Sequence, residues 1–205
     1  MLIYPNKHEG CVQALELLYE LLGVLLTSFG LNLIPFASPS NLLIASNAAL
    51  ISKADPLVIG FLVAFGSASA KLIHYLVSFF IGGHMGEERR KKLDITALKV
   101  RRWAFLALFV AAATPIPDEP VVIPLGLLKY NPLKFYLALF AGKLTITILG
   151  AYLGRVSQQF LAPIISEEML MIASIILTVV VTIVLLKIDV EKIASKVFKR
   201  ITKPS

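Results

Sequence analysis

The sequence has few charged residues and few of the residues on which metal and disulfide chemistry depend. Only 16% of its residues are charged, compared with about 25% in an ordinary soluble domain. The single cysteine, Cys11, excludes an intrachain disulfide framework and a paired-thiol metal site. The three histidines are scattered without the spacing of metal ligands. We therefore predict no metal site and no cofactor.

Motifs typical of enzymes are also missing. The chain has no glycine-rich phosphate loop, no HExxH zinc motif and no GxSxG nucleophile elbow. EERRKK (87–92) begins with two glutamates, as in some membrane proteases, but it lies in a polar stretch and lacks the required arginine position. We therefore expect no enzyme activity.

The start of the chain, MLIYPNKHEG, lacks the features of a cleavable signal peptide.

Apolar residues are what the sequence has in excess. Hydrophobic residues make up 57% of the 205-residue chain, and the mean hydropathy is +0.80. One globular core in so short a chain cannot hide that much apolar surface, so part of it must face lipid. We predict a single membrane domain (1–205) in the cell membrane. The net charge of +7 is concentrated beside membrane segments, which indicates anionic lipid head groups and not nucleic acid as partners.

The apolar runs are either continuous or broken by proline. The continuous runs predict three transmembrane helices, at 56–83, 132–154 and 168–186. The broken runs, 31–52 and 103–128, predict re-entrant helical hairpins, because polar and proline-rich backbone is tolerated in a membrane only beside protein or water. An N-terminal helix at 12–29 either crosses the membrane or lies at its interface.

The basic segments predict the orientation. The loop 84–102 has seven Lys or Arg against three acids, and the tail 187–205 is a basic amphipathic helix. Both should be cytoplasmic. Three full crossings between them would place them on opposite sides, whereas a hairpin at 103–128 leaves two crossings. The parity of the crossings therefore favours the hairpin.

The two halves of the chain resemble each other. KLIHYLVSFFIG (71–82) aligns without a gap with KLTITILGAYLG (143–154), and ISKADPL (51–57) aligns with LLKYNPL (127–133). A proline-broken hairpin precedes each copy, and the topology above has the two copies enter from opposite sides. The predicted fold is an all-α integral membrane protein with an inverted repeat of re-entrant helical hairpin plus transmembrane helix, flanked by N- and C-terminal helices.

These features resemble the DedA or SNARE-associated Golgi protein family, also called the VTT-domain family. The resemblance covers about 30–155 and rests on the proline-rich hairpins, the basic loop, and the segments PIPDEPVVIPLG and AGKLTITILGAYLGR. It implies two opposed re-entrant hairpins and the movement of lipids between leaflets, either polyprenyl-phosphate carriers or phospholipids. Many members are linked to the proton gradient.

The chain departs from that family pattern at charged positions. Members often carry an acid where this chain has Asn41, and Gly-Asp where it has Lys71, four residues before Tyr75. The second-hairpin arginines common in bacterial members are absent around Thr114 and Pro120. We therefore do not expect proton coupling or phosphate binding through the residues that the family usually has at those positions, and the departures indicate a divergent, archaeal-type branch.

Ionisable residues within apolar segments are the candidate functional residues, because a charge inside the membrane is costly unless it is paired or hydrated. Lys71 and Lys143 begin stripes of polar and small residues on the two repeated helices. Asp118 and Glu119 are predicted at the tip of the second hairpin, either paired with a lysine or solvated in an aqueous vestibule. The predicted substrate or ion pathway comprises Asp118, Glu119, Lys71, Lys143, Asn41, Tyr75 and Thr147.

Arginines at predicted helix ends should anchor the protein at the interface or contact head groups; these are Arg101, Arg102 and Arg155. The function predicted is lipid transport by a flippase or scramblase, for an anionic lipid such as a polyprenyl phosphate or a phospholipid. The alternatives are a secondary transporter of an ion or small solute on the same scaffold, and a non-transporting membrane-shaping or assembly protein. The expected partners are membrane lipids and protons or sodium ions, and an oligomer is left open.

Overall fold

The fold consists of α-helices throughout the part of the chain that is described. The computed structural model describes residues 7–35, 38–84, 103–161 and 166–187. Over these residues it has seven α-helices and no strand: α1 (Lys7–Leu33), α2 (Asn41–Ile51), α3 (Pro56–Gly83), α4 (Ala104–Ala112), α5 (Glu119–Leu127), α6 (Pro132–Leu161) and α7 (Glu167–Lys187). The predicted all-α class is confirmed for these residues. Nearly all of the predicted basic loop 84–102 and basic tail 187–205 lie outside them.

Three of the helices are long and apolar enough to cross a membrane: Val12–Leu33 within α1, Pro56–Gly83 (α3) and Pro132–Phe160 within α6. Large apolar side chains project outward from them. Phe61 and Phe80 on α3 are 49% and 65% exposed, and Leu137 on α6 is 52% exposed. Apolar surface of this extent is unfavourable in water and favourable against lipid. The helices therefore indicate a membrane protein.

The repeated sequence motif before α3 and α6 forms the start of each helix. The Asp55 side chain accepts a hydrogen bond from the Leu57 backbone N–H at 2.7 Å, and Asn131 accepts one from the Lys134 N–H at 3.0 Å. Each bond satisfies a backbone donor that has no partner within the helix. A proline follows each capping residue, where its missing N–H costs nothing. The matched Asp-Pro and Asn-Pro pairs are therefore equivalent helix starts.

The helices α3 and α6 run in opposite directions. Near the start of α3, the Thr147 hydroxyl of α6 donates to the Gly60 carbonyl at 2.8 Å. Further along α3, the ring of Tyr75 stacks on that of Phe135, with 4.0 Å between centroids. A later residue of α3 thus meets an earlier residue of α6. The end of α3 and the start of α6 consequently lie on the same side of the fold, as an inverted repeat requires.

Each short helix α2 and α5 packs on the long helix of the other repeat. Gly150 of α6 lies against the backbone of Leu42 in α2. Gly126 of α5 lies so close to α3 that a β-carbon would be 2.6 Å from the Tyr75 carbonyl oxygen. Small residues allow this close backbone approach. Both predicted stripes are buried helix-packing faces: Lys71, Tyr75, Ser78 and Gly82 on α3, and Lys143, Thr147, Gly150 and Gly154 on α6.

Two predicted boundaries differ from the structure. The predicted N-terminal helix 12–29 and the start of the predicted hairpin 31–52 form one uninterrupted helix, α1. This helix ends just before Pro35, where the proline ring cannot continue the hydrogen-bond ladder. The predicted helix 132–154 continues to Leu161, because Gly154 packs against the backbone of Ser46 and does not end the helix.

The other predicted segments agree closely with the structure. The predicted helix 56–83 coincides with α3, and 168–186 differs from α7 by one residue at each end. The predicted hairpin 103–128 contains α4 and α5, which are joined by the proline-rich turn. These two helices have nine residues each. That is about 14 Å of helix, too short to cross a hydrocarbon core of about 30 Å.

The parity of the crossings predicted from the sequence places the 84–102 loop and the tail on one side of the membrane. In a Cys11→Ser background, single cysteines replacing Arg90 and Lys203 should both be protected from an impermeant maleimide added outside intact cells. A cysteine replacing Lys53, which is exposed between α2 and α3, should react from outside. Reaction of only one of the first two cysteines would contradict this topology and make 103–128 a true crossing.

Candidate functional site

The turns of the two hairpins meet near the middle of α3 and α6. One lies between α1 and α2, where the structure describes 34–35 and 38–40, and the other joins α4 to α5 (113–118). They enclose a cavity of about 20 Å³, lined by Ser38–Asn41, Thr114–Asp118 and Lys143. A cavity of this size has room for about one water molecule. The two proline-rich tips therefore share a cavity, and it is small.

Four charged side chains are buried where the tips meet: Lys71, Asp118, Glu119 and Lys143, which we call the charge cluster. They are 1%, 2%, 0% and 3% exposed, respectively. Lys143 Nζ lies 2.6 Å from Asp118 Oδ2, and Lys71 Nζ is ion-paired with Glu119 and 3.8 Å from Asp118 Oδ1. Two positive and two negative charges balance. The pairing predicted for these residues is confirmed, whereas the alternative of solvated acids in a vestibule is wrong for this structure.

The members of the charge cluster come from both repeats. Lys71 projects from α3 of the first repeat, and Lys143 projects from α6 of the second. Both acids lie at the turn of the second hairpin, with Glu119 in the first turn of α5, where the helix dipole favours negative charge. An unpaired charge buried here would be strongly destabilising. The second hairpin therefore holds the two long helices to each other through ionic contacts.

Ser38 connects the first hairpin to the same cluster, and the sequence analysis did not predict it. Its hydroxyl accepts a hydrogen bond from Lys71 Nζ at 3.2 Å and donates to Glu119 Oε1 at 3.4 Å. Ser40 also lines the cavity, and its buried hydroxyl has no hydrogen-bond partner within the described residues. The only signal for Ser38 was its place in the proline-rich segment PFASPS, which contains two serines.

Asn41 lines the cavity but bonds to α1 and not to the charge cluster. Its Oδ1 accepts a hydrogen bond from Asn32 Nδ2 at 2.9 Å. The same Asn32 amide also donates to the Ser28 carbonyl at 2.9 Å. The neutral side chain at position 41 therefore stabilises the turn of the first hairpin. Asn32 is a second contributor that the sequence analysis missed.

Tyr75 and Thr147 lie on the same helix faces as the lysines but bond elsewhere. The Tyr75 hydroxyl donates to the Tyr130 carbonyl between α5 and α6. Thr147 donates to the Gly60 carbonyl and to the Lys143 carbonyl, at 2.8 Å each. The structure brings neither hydroxyl to the charge cluster. Both stabilise contacts between helices, and their place in a substrate pathway stays a prediction.

Arg155 holds the first hairpin to α6. Its guanidinium donates to the Ser52 carbonyl at 3.0 Å and to the Ala54 carbonyl at 2.5 Å. Ala54 and Tyr130 occupy equivalent positions in the two aligned motifs. The segment before α3 is therefore bonded by Arg155 of α6, and the segment before α6 is bonded by Tyr75 of α3. Each repeat thus holds the start of the other repeat's long helix.

The remaining predicted residues give no further site. Arg101 and Arg102 lie outside the described residues. Among the residues that the structure describes, no group of three or more His, Cys, Asp or Glu is arranged to hold a metal ion. The charge cluster and the cavity beside it are therefore the candidate functional site.

A family model of the VTT domain matches residues 38–156, more than half of the chain. The match begins at the turn of the first hairpin, ends in α6 and includes every residue of the charge cluster. The chain belongs to the VTT-domain family. The family resemblance predicted from the sequence is thus confirmed, and the family is generally related to membrane transport. Neither the curated proteins nor the solved structures gave a significant match.

The charge cluster of this VTT domain predicts a non-additive effect of removing one ion pair. Lys143→Met should destabilise the protein strongly, because removing one partner of a buried ion pair typically costs about 3–5 kcal/mol. The double variant Asp118→Asn/Lys143→Met should be more stable than Lys143→Met alone, as measured by thermal unfolding in detergent. Lys134→Met, at an exposed lysine of the same helix, is the matched control and should change little. If the losses of stability in Lys143→Met and in Asp118→Asn add up to the loss in the double variant, the pairing is contradicted.

Proposed function

We propose that this protein is a membrane lipid transporter, a flippase or scramblase, that moves an anionic lipid between leaflets. The charge cluster is the observation that carries the proposal. Two lysines are buried inside an apolar helical domain, and each is paired with a carboxylate. Ionisable residues in such positions typically mark a substrate or ion pathway.

Stability alone is a weak explanation for four buried charges. Replacing a buried ion pair by well-packed apolar residues is often neutral or stabilising, because the attraction between the charges hardly exceeds the cost of removing them from water. A cluster with two lysines can instead bind an anion when its own two acids move away from the lysines. This favours a role of the cluster in binding substrate.

The arrangement suggests how an anionic head group is bound. Both acids lie on one turn, that of the second hairpin, whereas the lysines lie on α3 and α6. Movement of this single turn away from the long helices would release Lys71 and Lys143 together. A phosphate group could then replace the carboxylates and keep both lysines paired. Protons or sodium ions would then neutralise Asp118 and Glu119, or water would hydrate them. Binding of protons or sodium ions to these acids would couple transport to an ion gradient.

One observation favours a second candidate, secondary transport of an ion or small solute. The cavity at the hairpin tips measures about 20 Å³. It has room for a water molecule or a small ion, and a lipid head group would require the turns to separate. The same hairpin movement would serve either substrate.

Reconstitution into liposomes tests the proposal. Fluorescent phosphatidylglycerol should change leaflets faster than the zwitterionic phosphatidylcholine, as measured by the accessibility of the fluorophore to dithionite. Lys71→Met/Lys143→Met combined with Asp118→Asn/Glu119→Gln, which leaves no buried carboxylate unpaired, should abolish this preference, because no cation would remain in the cluster, and Lys134→Met should retain it.

The other outcomes separate the two candidates. Uptake of an ion or small solute without lipid movement would contradict the lipid proposal and support the second candidate. Equal movement of both lipids in the wild type would contradict recognition of the anionic head group by the lysines. Neither lipid movement nor uptake would contradict both candidates.

A further inference from the structure

The two short helices, α2 and α5, both begin at the hairpin tips. Asn41, the first residue of α2, and Asp118, the residue before α5, line the cavity between the tips. The N-terminus of a helix carries a partial positive charge and backbone N–H groups that have no partner inside the helix. Two helix N-termini therefore lie beside the two buried lysines.

The N-terminus of α5 has its own negative charges, whereas that of α2 has none. Asp118 is the N-cap residue of α5, and Glu119 lies in the first turn of that helix. The first turn of α2 contains no acid. The segment 34–41, which precedes α2 and includes its first residue, contains no ionisable residue. The first hairpin therefore supplies no negative charge to the N-terminus of α2.

Hydrogen-bond donors are available at the N-terminus of α2. The N–H groups of Leu43 and Ile44 bond to the Ser40 carbonyl, whereas those of Asn41 and Leu42 come too early to have a partner within the helix. Ser40 is the N-cap residue, but its side chain makes no capping bond. Ser40 is 7% exposed and lines the cavity, and its hydroxyl has no hydrogen-bond partner within the described residues. A ligand that accepts hydrogen bonds would satisfy these donors.

Both buried lysines lie beside the first hairpin as well as beside the second. Lys143 lines the same cavity as Ser40. Lys71 Nζ donates to the Ser38 hydroxyl at 3.2 Å. The N-terminus of α2 and the two lysines thus surround one position from the side opposite to the acids. All the charges on this side are positive.

The α2 helix is fixed to the helix that carries Lys143. Gly150 of α6 lies against the backbone of Leu42. Arg155 of α6 donates to the Ser52 carbonyl, directly after α2, at 3.0 Å. A movement of the turn of the second hairpin alone would therefore leave α2 beside Lys143.

A phosphate group suits this combination of donors. Helix N-termini bind phosphate through free N–H groups and the helix dipole, and lysine donates charge-assisted hydrogen bonds to phosphate oxygens. The cavity of about 20 Å³ has room for about one water-sized oxygen. The space now occupied by the carboxylates of Asp118 and Glu119 would take the other oxygens.

We propose that the N-terminus of α2, together with the Ser40 hydroxyl, is a phosphate-binding subsite that acts with Lys71 and Lys143. The subsite binds one oxygen of the phosphate group, and the lysines bind the others. This inference rests on the proposed function, in which a phosphate group replaces the carboxylates, and it adds the part of the first hairpin that binds the same group.

Ser40→Ala tests the subsite without a change of charge. The variant removes one donor, and the hydroxyl makes no hydrogen bond within the described residues whose loss would destabilise the fold. Losing a hydrogen bond to a charged group should weaken binding by about ten-fold or more. The affinity for inorganic phosphate is measured on the purified protein in detergent by broadening of the ³¹P NMR line. Ser157→Ala, near the far end of α6 and outside the cavity, is the matched control and should bind like the wild type.

Asn41→Asp tests the role of the helix N-terminus. The new carboxylate can still accept the hydrogen bond from Asn32 Nδ2, but its negative charge should exclude phosphate and abolish the broadening. Asn131→Asp makes the same change at the N-terminus of α6, where the carboxylate can still accept from the Lys134 N–H. This control should bind phosphate like the wild type. Ser40→Ala keeps the test decisive if Asn41→Asp does not fold.

Two probes distinguish the source of the phosphate group. One is inorganic phosphate, and the other is dihexanoyl phosphatidylglycerol, a soluble short-chain lipid. Broadening of the lipid signal that depends on Ser40 would support a subsite for a lipid head group. Such broadening of inorganic phosphate alone would support a subsite for free phosphate. Equal broadening by the wild type, Ser40→Ala and Asn41→Asp would overturn the inference.

The liposome assay separates this inference from the proposed function. Movement of phosphatidylglycerol that is unchanged in Ser40→Ala, with ³¹P broadening that does not depend on Ser40, would overturn the inference while the lipid proposal stands. Phosphate binding that depends on Ser40 in a protein that moves no lipid would support the subsite and contradict the lipid proposal.

Discussion

The pairing of two buried lysines with two acids of one turn is the interaction on which the rest of the structure depends. A lysine in the centre of a membrane domain is tolerated only with a partner. Lys71 and Lys143 project from different repeats, and both find their partners at the turn of the second hairpin. The close helix contacts at Gly126, between α5 and α3, and at Gly142, between α6 and α4, keep the second hairpin near enough for this turn to reach both lysines. Ionic contacts and small-residue packing therefore support each other.

The proposed transport would use the same charge cluster that stabilises the fold. Because both acids belong to one turn, one movement would expose two cations, and an anionic ligand would compensate the charge that is lost. In the structure the tips leave a small cavity beside these charges.

Much of this fold follows from local sequence signals. The α3 helix has an unbroken apolar run with a capping residue and a proline at its start, and its predicted limits coincide with the structure. The pairing of the second-hairpin acids with the buried lysines was predictable because buried charges need partners, but which acid pairs with which lysine was not. The continuous α1 was not, since Gly30 lies in an apolar run where no local signal distinguishes one helix from two. Ser38 and Asn32 were missed because their roles depend on which side chains face the opposite hairpin, and this is set by tertiary packing. The small cavity at the tips also depends on how the two turns meet.

Contact between a lipid phosphate and the two buried lysines is the central claim. Solid-state NMR can measure it as dipolar coupling between ³¹P of phosphatidylglycerol and ¹⁵N-labelled lysine Nζ atoms of the reconstituted protein. Comparison of the wild type with Lys71→Met/Lys143→Met/Asp118→Asn/Glu119→Gln, which leaves no buried carboxylate unpaired, isolates the signal of the buried pair from that of surface lysines such as Lys134. We predict a short-range phosphorus–nitrogen coupling that disappears in this variant. Identical coupling in the two proteins would contradict head-group binding by the charge cluster.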